Sequence, residues 1–238
     1  MTHDARGTRE QPRASATEGT RPRGRGGARR GAGRPRAERP SVPHARRPSH
    51  SPEHPVHVTL RMARHTWSLR SERCYHLARQ AFERANRRGL VSIAHYSVQG
   101  NHIHLIVESR DRRALAAGVK RLEVRLARAL NRLMGKRGRA FGDRYHTHEL
   151  DSASAVQNAL GYVLLNRARH FPEWAGLHDP YSSAGVFDTF AAPLRATWST
   201  GAGPPAIEVP ATRLLRNGLR ALRMVDPSTV PGRRRRPL

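Results

Sequence analysis

The chain has 238 residues, enough for one domain of ordinary size with tails. Its 44 Lys+Arg against 18 Asp+Glu give a formal net charge of +26, and so positive a surface attracts polyanions, nucleic acid first among them. A single cysteine, Cys74, excludes an internal disulfide framework and a cysteine-rich zinc site, and no apolar run approaches the ~20 residues of a membrane span, so a cytoplasmic protein without membrane contact is expected.

Residues 1–53 are Arg, Pro, Gly, Ala and Ser with almost nothing apolar, as in "RPRGRGGARRGAGRPRAERP". Such a segment cannot bury enough surface to offset its chain entropy, which predicts a disordered basic arm. The arm could bind polyanions or be a neutral extension; composition does not decide between them. Regular structure begins at "VHVTLRMA", where Val58, Leu60 and Met62 alternate with His57, Thr59 and Arg61 at the period of a half-buried strand. "SLRSERCYHLARQAFERANRRG" reads as a helix ended by Gly89. "VSIAHYSVQ" and "HIHLIVES" follow as strands joined by Gly100-Asn101, a two-residue hairpin signal. Next come a long basic amphipathic helix capped by Asp111, a short fourth strand in "GDRYHTHEL", and a third helix, "SASAVQNALGYVLLNRARHF", stopped before Pro172. The order β-α-β-β-α-β-α fits a ferredoxin-like, split βαβ α+β fold with both crossover helices on one face of an antiparallel sheet. The domain is expected over residues 54–171. Residues 172–238 form an extension rich in Pro, Gly, Ala and Ser, with one short helix, "ATRLLRNGLRALRMV", and a basic "RRRRP" close.

The hairpin loop fixes what faces what. With Gly100 and Asn101 in the loop, Gln99 pairs with His102, Ser97 with His104 and His95 with Ile106. One face then shows Tyr96, Val98, Ile103, Leu105 and Val107; the other shows His95, Ser97, Gln99, His102 and His104. The apolar face can bury the two crossover helices, which leaves a polar face rich in histidine. Two imidazoles ~7 Å apart along a strand can converge on one cation, although an isolated His-x-His is also a common satisfied surface pair. On the third helix Val156, Ala159, Leu160, Val163 and Leu164 form one apolar side, and Tyr162 lies well away from it with Asn158, Asn166 and Arg169. Tyr162 and Asn166 are four apart and point the same way on a continuous helix. Laid across the polar face, that helix could bring Asn166 in as a third ligand with the Tyr162 hydroxyl beside it. The plainer alternative for Tyr162 is an interface aromatic beside Leu165.

"HVTLRM", "SVQGNHIHLIVE", "RLARALNRLMGKRGRAFGDRYH" and "ALGYVLLNRARHF", in this order, resemble the single-tyrosine HUH transposases, nearest to the bacterial repeat-associated (REP) tyrosine transposases. The resemblance covers residues 54–170, and more loosely "DPYSSAGVFDTF" and the last helix. It implies that Tyr162 is the nucleophile and that His102, His104 and Asn166 hold one divalent cation, Mg²⁺ or Mn²⁺. It also implies cleavage of single-stranded DNA near hairpin-forming repeats, through a 5′-phosphotyrosine and a free 3′-OH, and rejoining by the reverse reaction. Many relatives have Asn-Pro where this chain has Asn166-Arg167, which puts the helix end in question rather than the ligand. A homodimer with the tyrosine helix in cis or in trans is compatible with the pattern.

Arg61, Arg144 and Arg169 are candidate phosphate contacts, and Tyr145 is the next tyrosine to consider as nucleophile. Two rival readings remain. A domesticated, catalytically silent DNA- or RNA-binding protein would keep the fold and the charge, although here nucleophile and ligands are all present. A two-histidine RNA phosphoesterase would use His57-x-Thr59 and His95-x-Ser97, but would leave His102, His104 and Tyr162 unexplained.

Overall fold

The computed structural model describes residues 50–188, 190–197, 200–201, 203–217 and 225–228. Of the disordered arm expected over 1–53, residues 1–49 lie outside the described residues, as does the closing "RRRRP"; residues 50–53 are instead tied to the domain, His50 Nε2 3.0 Å from Ser109 Oγ and Ser51 N–H on Glu149 Oε1 at 3.0 Å. Chain order is β1 (Val56–Arg61), α1 (Glu72–Asn86), β2 (Ser92–Val98), β3 (His102–Glu108), α2 (Arg112–Leu133), β4 (His146–Glu149), α3 (Ala153–Leu164), α4 (Asn166–His170) and, after two single 3₁₀ turns, α5 (Arg213–Asn217). The strands form one antiparallel sheet in the order β2-β3-β1-β4. This is the ferredoxin-like α+β arrangement expected from the alternation of elements.

Each long helix starts where a side chain accepts an orphan N–H three residues on. Ser71 Oγ takes Cys74 N–H at 3.4 Å, Asp111 Oδ1 takes Ala114 N–H at 2.7 Å, and Ser152 Oγ takes Ala155 N–H at 3.2 Å. Such a cap is worth about 1 kcal/mol. Helix α1 therefore begins later than its sequence window: Leu69 stays outside it, its N–H on Gly100 O at 2.9 Å and its side chain in the core. Gly89, at φ 65°, closes the turn beyond Asn86.

The β2–β3 register is the one the loop dictates, with His95 opposite Ile106 and Ser97 opposite His104. A bulge between Ile93 and His95 breaks the simple alternation. Ile93 thereby joins the apolar face beside Val107, and Ala94 turns to the other side.

Two apolar clusters sandwich the sheet. Between the sheet and α1/α2 lie Val58, Leu60, Tyr96, Ile103, Leu105, Phe82, Leu122 and Leu126. On the opposite face Ala94 and Ile106 meet Val156, Leu160, Val163 and Leu164 of α3, together with Phe190, Leu215 and Val225. The face expected to be polar is thus apolar under the middle of α3 and polar beyond it. The later segment runs along the outer edge of β2: Val98 N–H donates to Tyr181 O at 2.8 Å and Ser183 N–H to Tyr96 O at 3.0 Å. Arg70 clasps Asp179 through two bonds of 2.8 Å, and Glu108 accepts the N–H groups of Ala211 and Thr212 at 2.8 and 2.7 Å. Of the helix expected over 211–225, α5 is present and 218–224 lie outside the described residues.

The third helix is not continuous to residue 170, as its sequence window predicts. It breaks at Leu165 (φ −102°, ψ 18°) and restarts as α4. The cause is legible in the burial: Val163, Leu164, Leu165 and Asn166 are consecutive and all buried, which a straight surface helix with one apolar stripe cannot achieve. Arg167, where many relatives of the resembled family carry proline, lays its guanidinium 3.7 Å from the Phe171 ring centroid and 5.0 Å from that of Trp174.

Candidate functional site

Pairing of β1 with β3 sets Thr59 opposite His104 and Arg61 opposite His102. Opposite residues share a face, so these four side chains, with His57 two residues before Thr59, gather on the side away from α1 and α2. Strand β4 adds His146 opposite Thr59 and His148 opposite His57. This second His-x-His has the same spacing as His102-x-His104 and was there to be read in "YHTHEL".

Hydrogen bonds decide which nitrogens are available. His102 Nδ1 lies 2.7 Å from Asn101 Oδ1. An amide oxygen only accepts, so Nδ1 carries the proton and Nε2 keeps its lone pair. His104 Nδ1 is 3.1 Å from both Thr59 Oγ1 and His57 Nε2. Its Nε2 is buried and has no hydrogen-bond partner among the described residues. The two rings stand nearly perpendicular, with centroids 4.7 Å apart.

These imidazoles are held neutral. Burial, then the neighbouring His148, lowers His57 to about 4. Burial, then His170 and Arg61, lowers His102 to about 4. His104 falls to about 2, through burial first and then His102, His57, His170 and Arg169. A neutral imidazole is the form that ligates a metal.

Tyr162 reaches this cluster from α3. Its ring centroid is 5.1 Å from that of His104 and 5.8 Å from that of His57, both edge-on, and the Arg169 guanidinium lies 5.3 Å from its centroid. The ring is half-buried. Tyr145, the other candidate, is buried in the cluster under α1 and α2, on the wrong side of the sheet for His102 and His104. Helix α4 approaches the same pair: His170 lies 6.2 Å from His102 between ring centroids. Asn166 precedes His170 by four residues within α4 and so shares its side. The break at Leu165 replaces the expected Tyr162–Asn166 alignment with this Asn166–His170 one. Asn166 is fully buried, and neither amide atom has a partner among the described residues.

Such atoms are costly unless something satisfies them. His104 Nε2, the lone pair on His102 Nε2 and Asn166 Oδ1 are donors of the kinds a divalent cation accepts. Among the described residues no three His, Cys, Asp or Glu side chains group as a metal centre. The structure brings Arg61 to His102 and Arg169 to Tyr162. Arg144 sits in the turn before β4, its backbone N–H on Asp143 Oδ1 at 2.7 Å.

The two His-x-Thr/Ser motifs do not open on a common site. His57 and His95 flank Ile106 on neighbouring strands, and Ile106 is fully buried beneath α3. His95 itself is buried, its Nδ1 3.3 Å from Ser183 Oγ and its ring edge-on to Phe187. A paired-histidine phosphoesterase centre is therefore not built here.

No known protein-family profile matches the chain, and no curated protein does. A solved structure of a REP-associated tyrosine transposase bound to a REP hairpin is similar to it at 16% identity and a TM-score of 0.49, over 60% of this chain and 82% of that one. Among the described residues no helix is long and apolar enough to cross a membrane.

Proposed function

We propose that this protein is a metal-dependent, single-tyrosine HUH-type transposase that cleaves and rejoins single-stranded DNA near hairpin-forming repeats. The observation that carries the reading is the half-buried Tyr162 ring set against His104, whose Nε2 is buried without a partner among the described residues while Nδ1 is held by Thr59 and His57. The Tyr162 oxygen attacks the scissile phosphorus, the 3′-oxygen leaves, and the phosphate is retained as a 5′-phosphotyrosine. Attack by a 3′-OH reverses the step with the tyrosine as leaving group, so bond energy is conserved and no nucleotide cofactor is needed. His102, His104 and Asn166 would hold a divalent cation, Mg²⁺ or Mn²⁺. Bound there, it supplies Lewis-acid stabilisation of charge on the phosphate oxygens. A phenol is a weak nucleophile at neutral pH. Arg169 lies 5.3 Å from the Tyr162 ring centroid, and Arg61 adds positive charge beside His102. Thr59 and His57 act on His104, fixing the nitrogen it presents.

A denaturing gel tests this, using labelled hairpin-bearing single strands from repeats beside the gene, with Mg²⁺, with Mn²⁺ and with EDTA. The wild type forms a cation-dependent covalent adduct, and Tyr162→Phe forms none. DNA binding without adduct under every cation overturns the enzymatic reading in favour of a binding-only protein.

A further inference from the structure

The outward sides of α1 and α2 enclose a groove of about 660 Å³ that has no part in the chemistry above. Arg84 and Arg88 of α1 line it on one side, and Arg121, Arg125, Arg128 and Arg132 of α2 on the other. Alanine, leucine and valine side chains lie between them, and no acidic side chain is among the lining residues. Charge is segregated here, not merely abundant. Glu83 is turned to Arg79, at 3.1 Å, outside the groove, and Glu123, the one acid within α2, is also outside its lining. A solvated helix face of average make-up would mix the signs.

The spacing has a partner in mind. Arg121, Arg125, Arg128 and Arg132 recur at helical intervals of four, three and four, one stripe along α2. At 1.5 Å per residue the stripe spans about 16 Å, a row of positive charge long enough to meet several phosphates of a duplex. The lining holds no aromatic ring, so unpaired bases have nothing to stack on, as a single-strand channel would provide. The apolar cluster under α1 and α2 and the sheet itself separate this groove from Tyr162. We propose that the groove is a second nucleic-acid contact, holding the phosphate backbone of duplex DNA without sequence preference, on the opposite side of the sheet from the histidine cluster. It stands whether or not Tyr162 is a nucleophile.

The test uses the full chain and a blunt duplex of arbitrary sequence, with binding followed by anisotropy across a salt series. R121Q/R125Q/R128Q is compared with R110Q/R112Q/R113Q, which removes equal charge from the start of α2 outside the groove. The groove triple is expected to lower the salt slope by about 2.7, three phosphate contacts at ~0.9 each, and the control triple by less than one. Equal losses in both triples would mean diffuse attraction and overturn the proposal, as would an unchanged slope in the groove triple. Tighter groove-dependent binding of a single strand, of duplex RNA or of phosphatidylserine vesicles than of duplex DNA would overturn the choice of partner. Melting curves accompany each variant. If the groove triple is unfolded, the exposed single change Arg128→Glu is decisive instead: weaker duplex binding at unchanged Tm supports the groove, and unchanged binding overturns it.

Discussion

The two faces of the sheet are built from alternate residues of the same strands and differ: the one under α1 and α2 is apolar throughout, the one under α3 only beneath the middle of that helix. Toward α1 and α2, Val58, Leu60, Ile103, Leu105 and Val98 are essentially fully buried, and the polar pair there, Tyr75 and Tyr96, bond each other through their hydroxyls at 3.0 Å. Toward α3 and α4 stand His57, Thr59, Arg61, His102 and His104, with an imidazole nitrogen and a buried amide that have no partner among the described residues. Both sides gather apolar area that stabilises the fold, but the side under α3 and α4 gives up part of that margin to neutral histidines and unsatisfied atoms, the usual relation between stability and a prepared site.

The largest effect that would break this comparison is a cavity on the dry side. Phe82 is fully buried against Tyr96, their ring centroids 4.9 Å apart. Phe82→Ala should cost about 3–5 kcal/mol in urea unfolding, with adduct formation lost only in step with the unfolded fraction. A cost under about 1 kcal/mol would show that the stability does not reside on that face.

A second test sharpens the comparison with acid, because the ionisable burden lies on one side. Burial lowers His95 to about 4, against the opposing pull of Asp188, while an unfolded histidine titrates near 6.5. Below 6.5 the unfolded chain takes up the proton and the folded chain does not. Stability is therefore full above that pH and declines as pH falls toward 4. For His95 alone the decline at pH 5 is about 2 kcal/mol, and the similarly lowered His57, His102 and His104 push the same way. Melting at pH 7 and pH 5 should show it, with a smaller difference in His95→Gln. An unaltered difference would place the acid sensitivity elsewhere.

Much of this division is legible in the chain because a two-residue loop fixes hairpin register, and register fixes faces. His102, His104, Ser97 and Gln99 follow from Gly100-Asn101 alone, and the cap residue Asp111 follows from local chemistry. What escapes is whatever tertiary packing decides. The bulge that turns Ile93 leaves the pattern looking regular, and the break at Leu165 serves the burial of four consecutive residues, a demand helix periodicity does not carry. His170, on α4 beyond that break, lies 6.2 Å from His102 between ring centroids. The cover over β2 comes from a segment with no periodicity to read.

Asn166 joins both sides of the comparison in one residue, and the effect expected there is the smallest. An amide buried with neither atom bonded among the described residues should destabilise the fold on its own account, since a buried unsatisfied group costs about 1–3 kcal/mol. Leucine has a similar shape and no polar atoms. If Asn166 is kept for the cation, Asn166→Leu should raise stability in urea unfolding by about 1 kcal/mol, while Mn²⁺ affinity, read by electron paramagnetic resonance titration, falls. A structural amide gives the reverse: the variant loses stability and binds Mn²⁺ as the wild type does. Phe82→Ala cannot separate these cases because it unsettles everything at once. At Asn166 the two readouts move in opposite directions, so a gain in stability coupled to a loss of metal identifies a residue retained against the interest of the fold.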